Sequence, residues 1–263
     1  MPGSVEGLIF DVDGTLADTE TAGHLPAFNA AFSAAGLAMQ WDWETYRQLY
    51  RFPSGVDRIR QGLLEWSGIP PSDEVVTALH LAKTHAYQER LNAGLIVLRP
   101  GIARIIGEAH AHGLKLAIAT TSRSQSARIL VASQLGPEAL TWFHPILGFE
   151  DGLTLKPAPD QYLKALEVFG LPADQVVAFE DSTAGVAAAR AAGLPTLVTV
   201  NELTRSHDFS GAFAVLENLG EPEQPAAVWD QRGPSAQTAV VDLAWLNSRL
   251  ATLSSLSSQH PVR

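Results

Sequence analysis

Cysteine is absent from the 263-residue sequence, which excludes a disulfide framework and any metal site with thiolate ligands. No apolar run approaches the roughly 18 residues of a transmembrane helix. The first residues, MPGSVE, lack a basic stretch followed by an apolar one, so we expect no secretory signal there. These absences predict a protein that folds around its own hydrophobic core and works in the cytoplasm, with no membrane partner.

Basic residues are also scarce, since 18 Lys and Arg stand against 28 Asp and Glu and give a net charge of −10. A general nucleic-acid surface needs a basic patch, so we expect no nucleic-acid partner. The same negative charge repels anions at long range, so a phosphate site would need local bases or a metal ion. By contrast, 46% of the residues are hydrophobic and only 17% are charged, which excludes a disordered chain.

Short apolar runs alternate with helical patterns along most of the chain. The apolar runs occupy residues 8–10, 114–119, 176–179 and 196–200, and apolar residues at helical spacing fill 102–109, 162–169 and 184–192. Continuous apolar strands separated by helices are typical of a parallel sheet covered on both faces. The pattern therefore predicts an α/β fold with a doubly wound, Rossmann-like parallel sheet.

Residues 20–96 follow a different pattern, with helical stripes and no strand-like run. We therefore predict an all-helical cap domain, 20–96, inserted after the first strand, and an α/β catalytic core formed by 1–19 and 97–263. The stretch from Gly220 to Gln237 is rich in Pro, Gly and Gln and is predicted to be irregular.

The clearest chemical signal is Asp11-Val12-Asp13-Gly14-Thr15, directly after the first apolar run. In open α/β sheets, ligands bind at the carboxyl ends of the strands. Two acids separated by one residue can divide two tasks there, because one carboxylate can attack phosphorus while the other moves protons. Taken alone, the same five residues also suit an acidic turn with a glycine for backbone freedom and a threonine as a cap.

Three later segments supply polar residues at comparable positions, namely Thr120-Thr121-Ser122, Lys156 and Glu180-Asp181. Hydroxyl and backbone N–H groups can bind phosphate oxygens at a helix N-terminus, and a fixed lysine can neutralise phosphate. The acid pair suits a hard cation such as Mg²⁺. Each segment alone has an ordinary explanation as a helix cap, a surface charge or an acidic turn. Their joint occurrence in this order favours a single phosphate-processing site.

This set of motifs resembles the haloacid dehalogenase superfamily of phosphotransferases. Its signature is Asp-x-Asp-x-Thr, then a strand-end Thr or Ser, a Lys and a strand-end acid pair, and the helical insertion resembles its first type of cap. The run from Asp11 to Glu20, followed by His24, is similar to the CbbY-like phosphatases, relatives of β-phosphoglucomutase. The resemblance implies an Mg²⁺-dependent phosphatase that hydrolyses a small phosphorylated sugar through an aspartyl-phosphate. Xylulose 1,5-bisphosphate is the characteristic substrate of that family.

The resemblance also implies roles for individual residues. Asp11 would be the nucleophile, and Asp13 the general acid and base. Mg²⁺ would be held by Asp11, the Asp13 backbone carbonyl and Asp181, and Glu180 would lie close by. The residues implied to bind substrate are Thr120, Thr121, Ser122 and Lys156 in the core, and Glu20, His24, Ser54, Gly55 and Arg58 in the cap. The cap would close over the site and choose the substrate.

One departure from the family pattern concerns a cap loop that contacts substrate. CbbY-like caps carry Thr-Gly-Gly-Lys-x-Arg, and the corresponding stretch here reads Pro53-Ser54-Gly55-Val56-Asp57-Arg58. Gly55 and Arg58 persist, but Val56 takes the place of the lysine. We expect Arg58 to bind the second phosphate of a bisphosphate, because a guanidinium can form two parallel hydrogen bonds with phosphate. The missing lysine leaves the exact sugar open.

Three alternatives also stay open. A phosphosugar mutase would use the same core residues and return the phosphoryl group to a sugar instead of to water. A dehalogenase needs neither a proton carrier two residues after the nucleophile nor Mg²⁺, so Asp13 and the acid pair disfavour it. A catalytically silent binding module on the same fold is the alternative of another class. The sequence does not fix the oligomeric state, and a monomer is compatible with it.

Overall fold

The computed structural model describes residues 4–52, 54–230 and 233–259. Pro53 of the cap loop, Gln231 and Arg232 of the stretch predicted to be irregular, and the first three residues lie outside the described residues. The chain divides into two compact units. One joins the segment that ends at Ala17 to the segment that begins at Leu98 and is called the core, and the other, Asp18–Val97, is called the cap.

Four α-helices lie in the described part of the cap and five in that of the core. The cap helices are α1 (Leu25–Ala34), α2 (Trp43–Leu49), α3 (Gly55–Ser67) and α4 (Asp73–Asn92). The core helices are α5 (Ile102–Ala111), α6 (Ser124–Leu135), α7 (Asp160–Phe169), α8 (Thr183–Ala191) and α9 (Leu243–Gln259). A π-helical turn, Glu20–His24, precedes α1. Among the described residues, none of the helices is both long and apolar enough to cross a membrane.

The described strands of the core form one sheet. They are β1 (Gly7–Phe10), β2 (Lys115–Ala119), β3 (Phe143–Leu147), β4 (Val176–Glu180), β5 (Thr196–Thr199), β6 (Ala214–Leu216), β7 (Ala226–Asp230) and β8 (Gly233–Ala239). The order across the sheet is β3-β2-β1-β4-β5-β6-β7-β8. Strands β1 to β6 pair in parallel, whereas β7 and β8 add antiparallel pairs at one edge. Because β1 lies between β2 and β4, the carboxyl ends of these three strands meet at one edge of the sheet.

The central strands are buried on both faces, which explains why their sequences are continuously apolar. Leu8, Ile9 and Phe10 of β1 are fully buried. Helix α8 carries small side chains, and its Ala188 and Ala189 belong to the same buried cluster as Ile9. The predicted α/β fold with a parallel, helix-covered sheet is confirmed.

An aromatic cluster holds the cap together. Phe28 and Phe32 on α1 both contact the Trp41 ring, and Tyr46 of α2 joins the same cluster. Gly62 on α3 lets the indole lie against the helix, because a Cβ atom there would overlap with it. The described residues of the cap contain helices and turns but no strand, as expected of an all-helical insertion.

The later part of the stretch predicted to be irregular is instead part of the sheet, and there the prediction is wrong. Residues 226–230 and 233–239 form the antiparallel pair β7–β8. Gly220 and Pro225 lie outside the strands, but Val228 and Trp229 are residues that suit a strand. The composition of the whole stretch therefore concealed two strands, of five and seven residues. Strands β3 and β6 also lacked a clear signal, because β3 contains a proline and β6 has only three residues.

The points at which the core chain leaves for the cap and returns from it are paired. Ala17 and Leu98 form an antiparallel bridge. Next to it, the Arg99 amide donates to the Leu16 carbonyl oxygen at 2.8 Å. Hydrogen bonds thus close the backbone of the core across the insertion.

Candidate active site

The loop after β1 places two carboxylates at the carboxyl edge of the sheet. The Asp11 amide donates to the Phe179 carbonyl oxygen of β4 at 3.0 Å, so the strand pairing continues to this residue. Gly14 has a φ of 84°, a left-handed conformation that favours glycine and turns the chain back. Asp11 is buried, whereas Asp13 is half-buried. Both acids of the predicted motif therefore sit where ligands bind in this class of fold.

Lys156 binds the first of these carboxylates. Its Nζ lies 2.7 Å from Asp11 Oδ1 and 2.6 Å from Glu180 Oε1, and only 4% of its side chain is exposed. Burial opposes the charged form of Lys156, but the carboxylates of Asp11 and Glu180 raise its pKa well above its usual range. The lysine therefore stays charged beside the acid predicted to be the nucleophile.

Glu180, fully buried at the end of β4, positions this lysine. Its Oε1 accepts hydrogen bonds from Lys156 and, at 2.5 Å, from the Tyr162 hydroxyl. Its Oε2 accepts from the Asp181 amide at 3.3 Å. Gly185 on α8 leaves room for the carboxylate, because a Cβ atom there would overlap with it. Both oxygens of Glu180 are thus engaged by protein groups.

Asp11, Glu180 and Asp181 bring carboxylate oxygens within 4.8 Å of one another, and all three residues are buried. Hard cations such as Mg²⁺ prefer carboxylate oxygens. When all three acids are ionised, the single positive charge of Lys156 leaves the group with a surplus of negative charge. The donor set and its charge fit a divalent cation. Asp13 does not belong to this group of carboxylates, and its predicted contribution is its backbone carbonyl.

Burial and neighbouring charges shift the titration of the acids. Burial raises the pKa of Asp11 to about 7, although the charge of Lys156 opposes the shift. Burial and the carboxylate of Asp11 also raise the pKa of Asp181 well above its usual range. A cation bound between the two acids would favour their ionised forms, because it offsets their repulsion.

The polar segment after β2 contacts the second acid of the loop. Ser122 donates from Oγ to Asp13 Oδ2 at 2.5 Å. Thr120 is buried, and its hydroxyl accepts from the Ser122 amide at 3.0 Å, while Thr121 is exposed at the same strand end. Helix α6 begins at Ser124, so the segment lies at a helix N-terminus. Hydrogen bonds thus connect the segments that follow β1, β2, β3 and β4.

The predicted residues of the cap fall into separate groups, the first of which centres on Tyr46. The Tyr46 hydroxyl donates to Glu20 Oε2 and accepts from Arg58 Nη1 at 3.0 Å. The guanidinium of Arg58 also lies 4.4 Å from the centre of the Tyr50 ring and donates from Nε to the Phe52 carbonyl oxygen at 3.1 Å. Aromatic rings and hydrogen bonds therefore hold Arg58 in one orientation.

The second group of the cap surrounds His24. Its Nδ1 lies 2.9 Å from Lys83 Nζ, and its imidazole stacks on the Tyr87 ring with centroids 4.3 Å apart. Burial and the charge of Lys83 lower the pKa of His24 well below its usual range. The imidazole is therefore neutral, and its Nδ1 accepts a hydrogen bond from the ammonium group.

Ser54 and Gly55 lie at the start of α3, one turn before Arg58. Ser54 Oγ accepts from the Asp57 amide at 3.1 Å and caps the helix. A Cβ atom at Gly55 would lie 3.2 Å from the His80 ring. Val56, at the position of the family's lysine, packs against the aromatic cluster. The departure from the family loop thus replaces a cation with an apolar contact.

The sequence and the fold of this chain are similar to those of known proteins. The family model of the haloacid dehalogenase-like hydrolases matches residues 5–193. The chain belongs to this family. The plasmid CbbY protein of Cupriavidus necator is 43% identical over 251 residues, which cover 93% of this chain and 96% of that protein. The predicted family and the predicted phosphatase type of hydrolase are thereby confirmed.

Solved structures of CbbY from Rhodobacter sphaeroides resemble this haloacid dehalogenase-like hydrolase closely. The complex with phosphate is 38% identical and superimposes with a TM-score of 0.69, covering 81% of this chain and 94% of that chain. A mutant of the same protein, in complex with xylulose-(1,5)bisphosphate, is 37% identical with a TM-score of 0.69 and the same coverage. The confirmed fold is therefore that of the family, a parallel-sheet core with a helical insertion.

Several members of these clusters in the hydrolase were missed by the sequence analysis. Asn201 Nδ2 donates to Asp181 Oδ2 at 2.6 Å. This asparagine closely follows β5, so the rule that identified the other strand-end residues would also have found it. Tyr46 and Lys83 lie within helices, and their partners come from other helices. Residue spacing alone carries no signal for such contacts.

Proposed function

We propose that this hydrolase is an Mg²⁺-dependent phosphatase that removes phosphate from a small phosphorylated sugar through an aspartyl-phosphate. The observation that carries the proposal is the buried ion pair between Lys156 and Asp11 beside the acids Glu180 and Asp181. This arrangement offers a nucleophile, a fixed cation and a place for a divalent ion. The complex of CbbY with xylulose bisphosphate makes xylulose 1,5-bisphosphate the first candidate substrate.

In the first chemical step, a carboxylate oxygen of Asp11 attacks phosphorus in line with the ester oxygen, and the bond between phosphorus and the sugar oxygen breaks. Asp13 gives a proton to the departing sugar oxygen. The hydroxyl of Ser122 orients Asp13 through its contact with Oδ2. Lys156, with the hydroxyl and N–H groups of residues 120–122, offsets the charge on the phosphoryl oxygens.

In the second step, Asp13 takes a proton from water, and the water oxygen attacks the phosphorus atom of the aspartyl-phosphate. The bond between phosphorus and Asp11 breaks, so that Asp11 returns as a carboxylate and inorganic phosphate leaves. Lys156 stays charged throughout because its ammonium group also donates a hydrogen bond to the Glu180 carboxylate. The lysine thereby favours the ionised form of Asp11.

Asp11, Asp181 and the backbone carbonyl of Asp13 would hold Mg²⁺, with Glu180 close by. The bound ion would supply positive charge that offsets the repulsion between carboxylate and phosphate. Because Lys156 and Tyr162 already engage Glu180, we assign Glu180 mainly to holding the lysine.

We further propose that residues 20–96 act as a cap domain that selects the substrate. The residues proposed to contact the sugar or its second phosphate are Glu20, His24, Ser54, Gly55 and Arg58. Arg58 is the best suited to phosphate, because Tyr46 and Tyr50 already orient its guanidinium.

A phosphate-release screen over sugar monophosphates and bisphosphates tests this function. The purified full chain would be assayed with Mg²⁺ and, in matched reactions, with excess chelator, and Asp11→Asn protein would reveal contaminating phosphatases. We expect release that stops with chelator and returns with Mg²⁺, and that is fastest with xylulose 1,5-bisphosphate. Formation of an isomeric sugar phosphate without release would favour a mutase, and full activity in chelator would contradict the metal requirement.

A further inference from the structure

The loop after β5 contributes a side chain to the acid cluster. This side chain, Asn201, does not belong to any of the sequence motifs. Asn201 Nδ2 donates to Asp181 Oδ2 at 2.6 Å, and its Oδ1 accepts from the Leu203 amide at 2.9 Å. Because Oδ1 closes a turn of its own loop, the amide group is oriented with its donor toward the acid. Asn201 thus links the turn after β5 to the acid after β4.

The loop after β1 packs directly against this hydrogen bond. A Cβ atom at Gly14 would overlap with Asp181 Oδ2 and lie 2.5 Å from Asn201 Nδ2. The absence of a side chain at this position lets the loop backbone approach both groups. A shift of either side chain would therefore change the spacing between the loop and Asp181.

Arg99 ties the same loop to the end of β5. Its Nη1 donates to the Gly14 carbonyl oxygen and, at 3.2 and 3.1 Å, to the carbonyl and hydroxyl oxygens of Thr199. Its Nη2 donates to the carbonyl oxygens of Val200 and Glu217 at 2.6 and 2.5 Å. The Arg99 guanidinium thus binds the carbonyl group of the residue that follows Asp13 in the loop and the peptide group that precedes Asn201.

We propose that Asn201, held in place by Arg99, is a positioning residue that fixes the Asp181 carboxylate and so strengthens the binding of the divalent cation. Groups that hydrogen-bond to metal-binding carboxylates orient them, and their loss costs about 10- to 100-fold in metal affinity. The inference rests on the metal site of the proposed function. It adds a residue that follows β5 to a site that the motifs place after β1 and β4.

Asn201→Ser separates the two contacts of the asparagine. A serine hydroxyl can still accept from the amide two residues further on, but it is too short to reach Asp181. Asn218→Ser is the matched control, because Asn218 Oδ1 accepts from the Gly220 amide at 2.8 Å and closes the same kind of turn after β6. The two variants thus make the same change in two turns, of which only the first contacts Asp181.

The measurement is Mg²⁺ binding to the full chain without substrate, by calorimetry and by the rise in melting temperature that the ion produces. We expect Asn201→Ser to weaken Mg²⁺ binding by about 10- to 100-fold and Asn218→Ser to leave it unchanged. Both variants should melt at similar temperatures without the ion. At saturating Mg²⁺, Asn201→Ser should regain most of its kcat, because the loss is one of metal affinity.

A second arm tests the part assigned to Arg99. Arg99→Lys should also weaken Mg²⁺ binding, and its effect should combine less than additively with that of Asn201→Ser, because both act on Asp181. Wild-type Mg²⁺ affinity in Asn201→Ser, or equal losses in Asn201→Ser and Asn218→Ser, would overturn the inference and leave the phosphatase proposal standing. A wild-type chain that binds no divalent cation would overturn both.

Discussion

The core and the cap arrange their charges in opposite ways. In the core, the carboxylates of Asp11, Glu180 and Asp181 outnumber the lysine that they surround. In the cap, basic groups lie against aromatic rings, as Arg58 does over Tyr50 and as Lys83 does 4.9 Å from the centre of the Phe28 ring. The core cluster thus suits a cation, whereas the basic groups of the cap lie among aromatic rings and neutral hydrogen-bond acceptors.

The two clusters also differ in how their side chains are held. The core acids follow directly on paired strands, so the sheet fixes their backbone positions. The cap groups depend on the packing of several helices, with Tyr46 on α2, Arg58 on α3 and Lys83 on α4. We therefore expect changes in the core to remove the chemistry and changes in the cap to alter which substrate is used.

The largest effect is expected from Asp11→Asn, which removes the nucleophile from the core cluster. Turnover should fall by about 10⁴-fold or more, as for the loss of essential groups in other covalent mechanisms. Phosphate release at saturating Mg²⁺ measures the effect, and Asp174→Asn, a change to an exposed acid of the core, is the control. Near-normal turnover of a folded Asp11→Asn protein would refute the aspartyl-phosphate mechanism.

Asp13→Asn should have the next largest effect, because it keeps the backbone carbonyl but removes the proton carrier. The expected loss in kcat is about 10²–10⁴-fold. Ser122→Ala removes only the hydrogen bond that orients Asp13 and should cost less, about 10-fold or more, since hydrogen bonds to charged groups contribute about 1.5–3 kcal/mol. Near-normal turnover of a folded Asp13→Asn protein would show that Asp13 is not the proton carrier.

In the cap, the largest effect is expected from Arg58→Ala. It should lower kcat/KM for a bisphosphate by about 10- to 150-fold, the equivalent of one hydrogen bond to a charged group, and should affect a monophosphate much less. Tyr46→Phe removes an acceptor of one hydrogen bond from the arginine and keeps the ring, so it should lower the same ratio less than Arg58→Ala does. Val56→Lys should strengthen the preference for bisphosphates. Equal losses on both substrate classes would mean that Arg58 supports folding and does not select the substrate.

The smallest effect concerns the neutral imidazole of His24. Burial, with the charges of Lys83 and Arg58, lowers its pKa in the folded state, whereas the unfolded chain takes up the proton at about pH 6.5. The contribution of His24 to the free energy of unfolding should therefore be fully present above about pH 6.5 and fall below it, by at most about 1.4 kcal/mol per pH unit.

Chemical denaturation of the full chain across this pH range measures the effect. His24→Gln should flatten the dependence because glutamine does not titrate. His85→Gln should leave it unchanged, since the His85 side chain is 74% exposed. The same pH dependence in wild type and His24→Gln would show that another group is responsible.

The core cluster could be predicted from the sequence because residues that follow parallel strands lie at the same edge of the sheet. Asp11 and Asp181 directly follow apolar strands, and Lys156 lies shortly before a helix. Parallel pairing of the strands brings these positions to one edge of the sheet. The same reasoning was available for Asn201 but was not applied to β5. Tyr46 could not be found in this way, because its partners depend on how four helices pack.

Other features could not be predicted from short stretches of the sequence. Strands β7 and β8 lie among Pro, Gly and Gln, so the composition of the stretch outweighed their strand-forming residues. The cytoplasmic location and the absence of nucleic-acid and membrane partners stay predictions from charge and hydropathy.

The bridge between Ala17 and Leu98 makes the inserted helices an exchangeable module. Both ends of the insertion are held together by the backbone of the core, so the sheet needs no particular length between them. For a flexible segment, doubling the number of residues costs only about 0.6 kcal/mol of closure entropy. Insertions of different lengths could therefore occupy this position while the sheet and its strand-end residues stay the same.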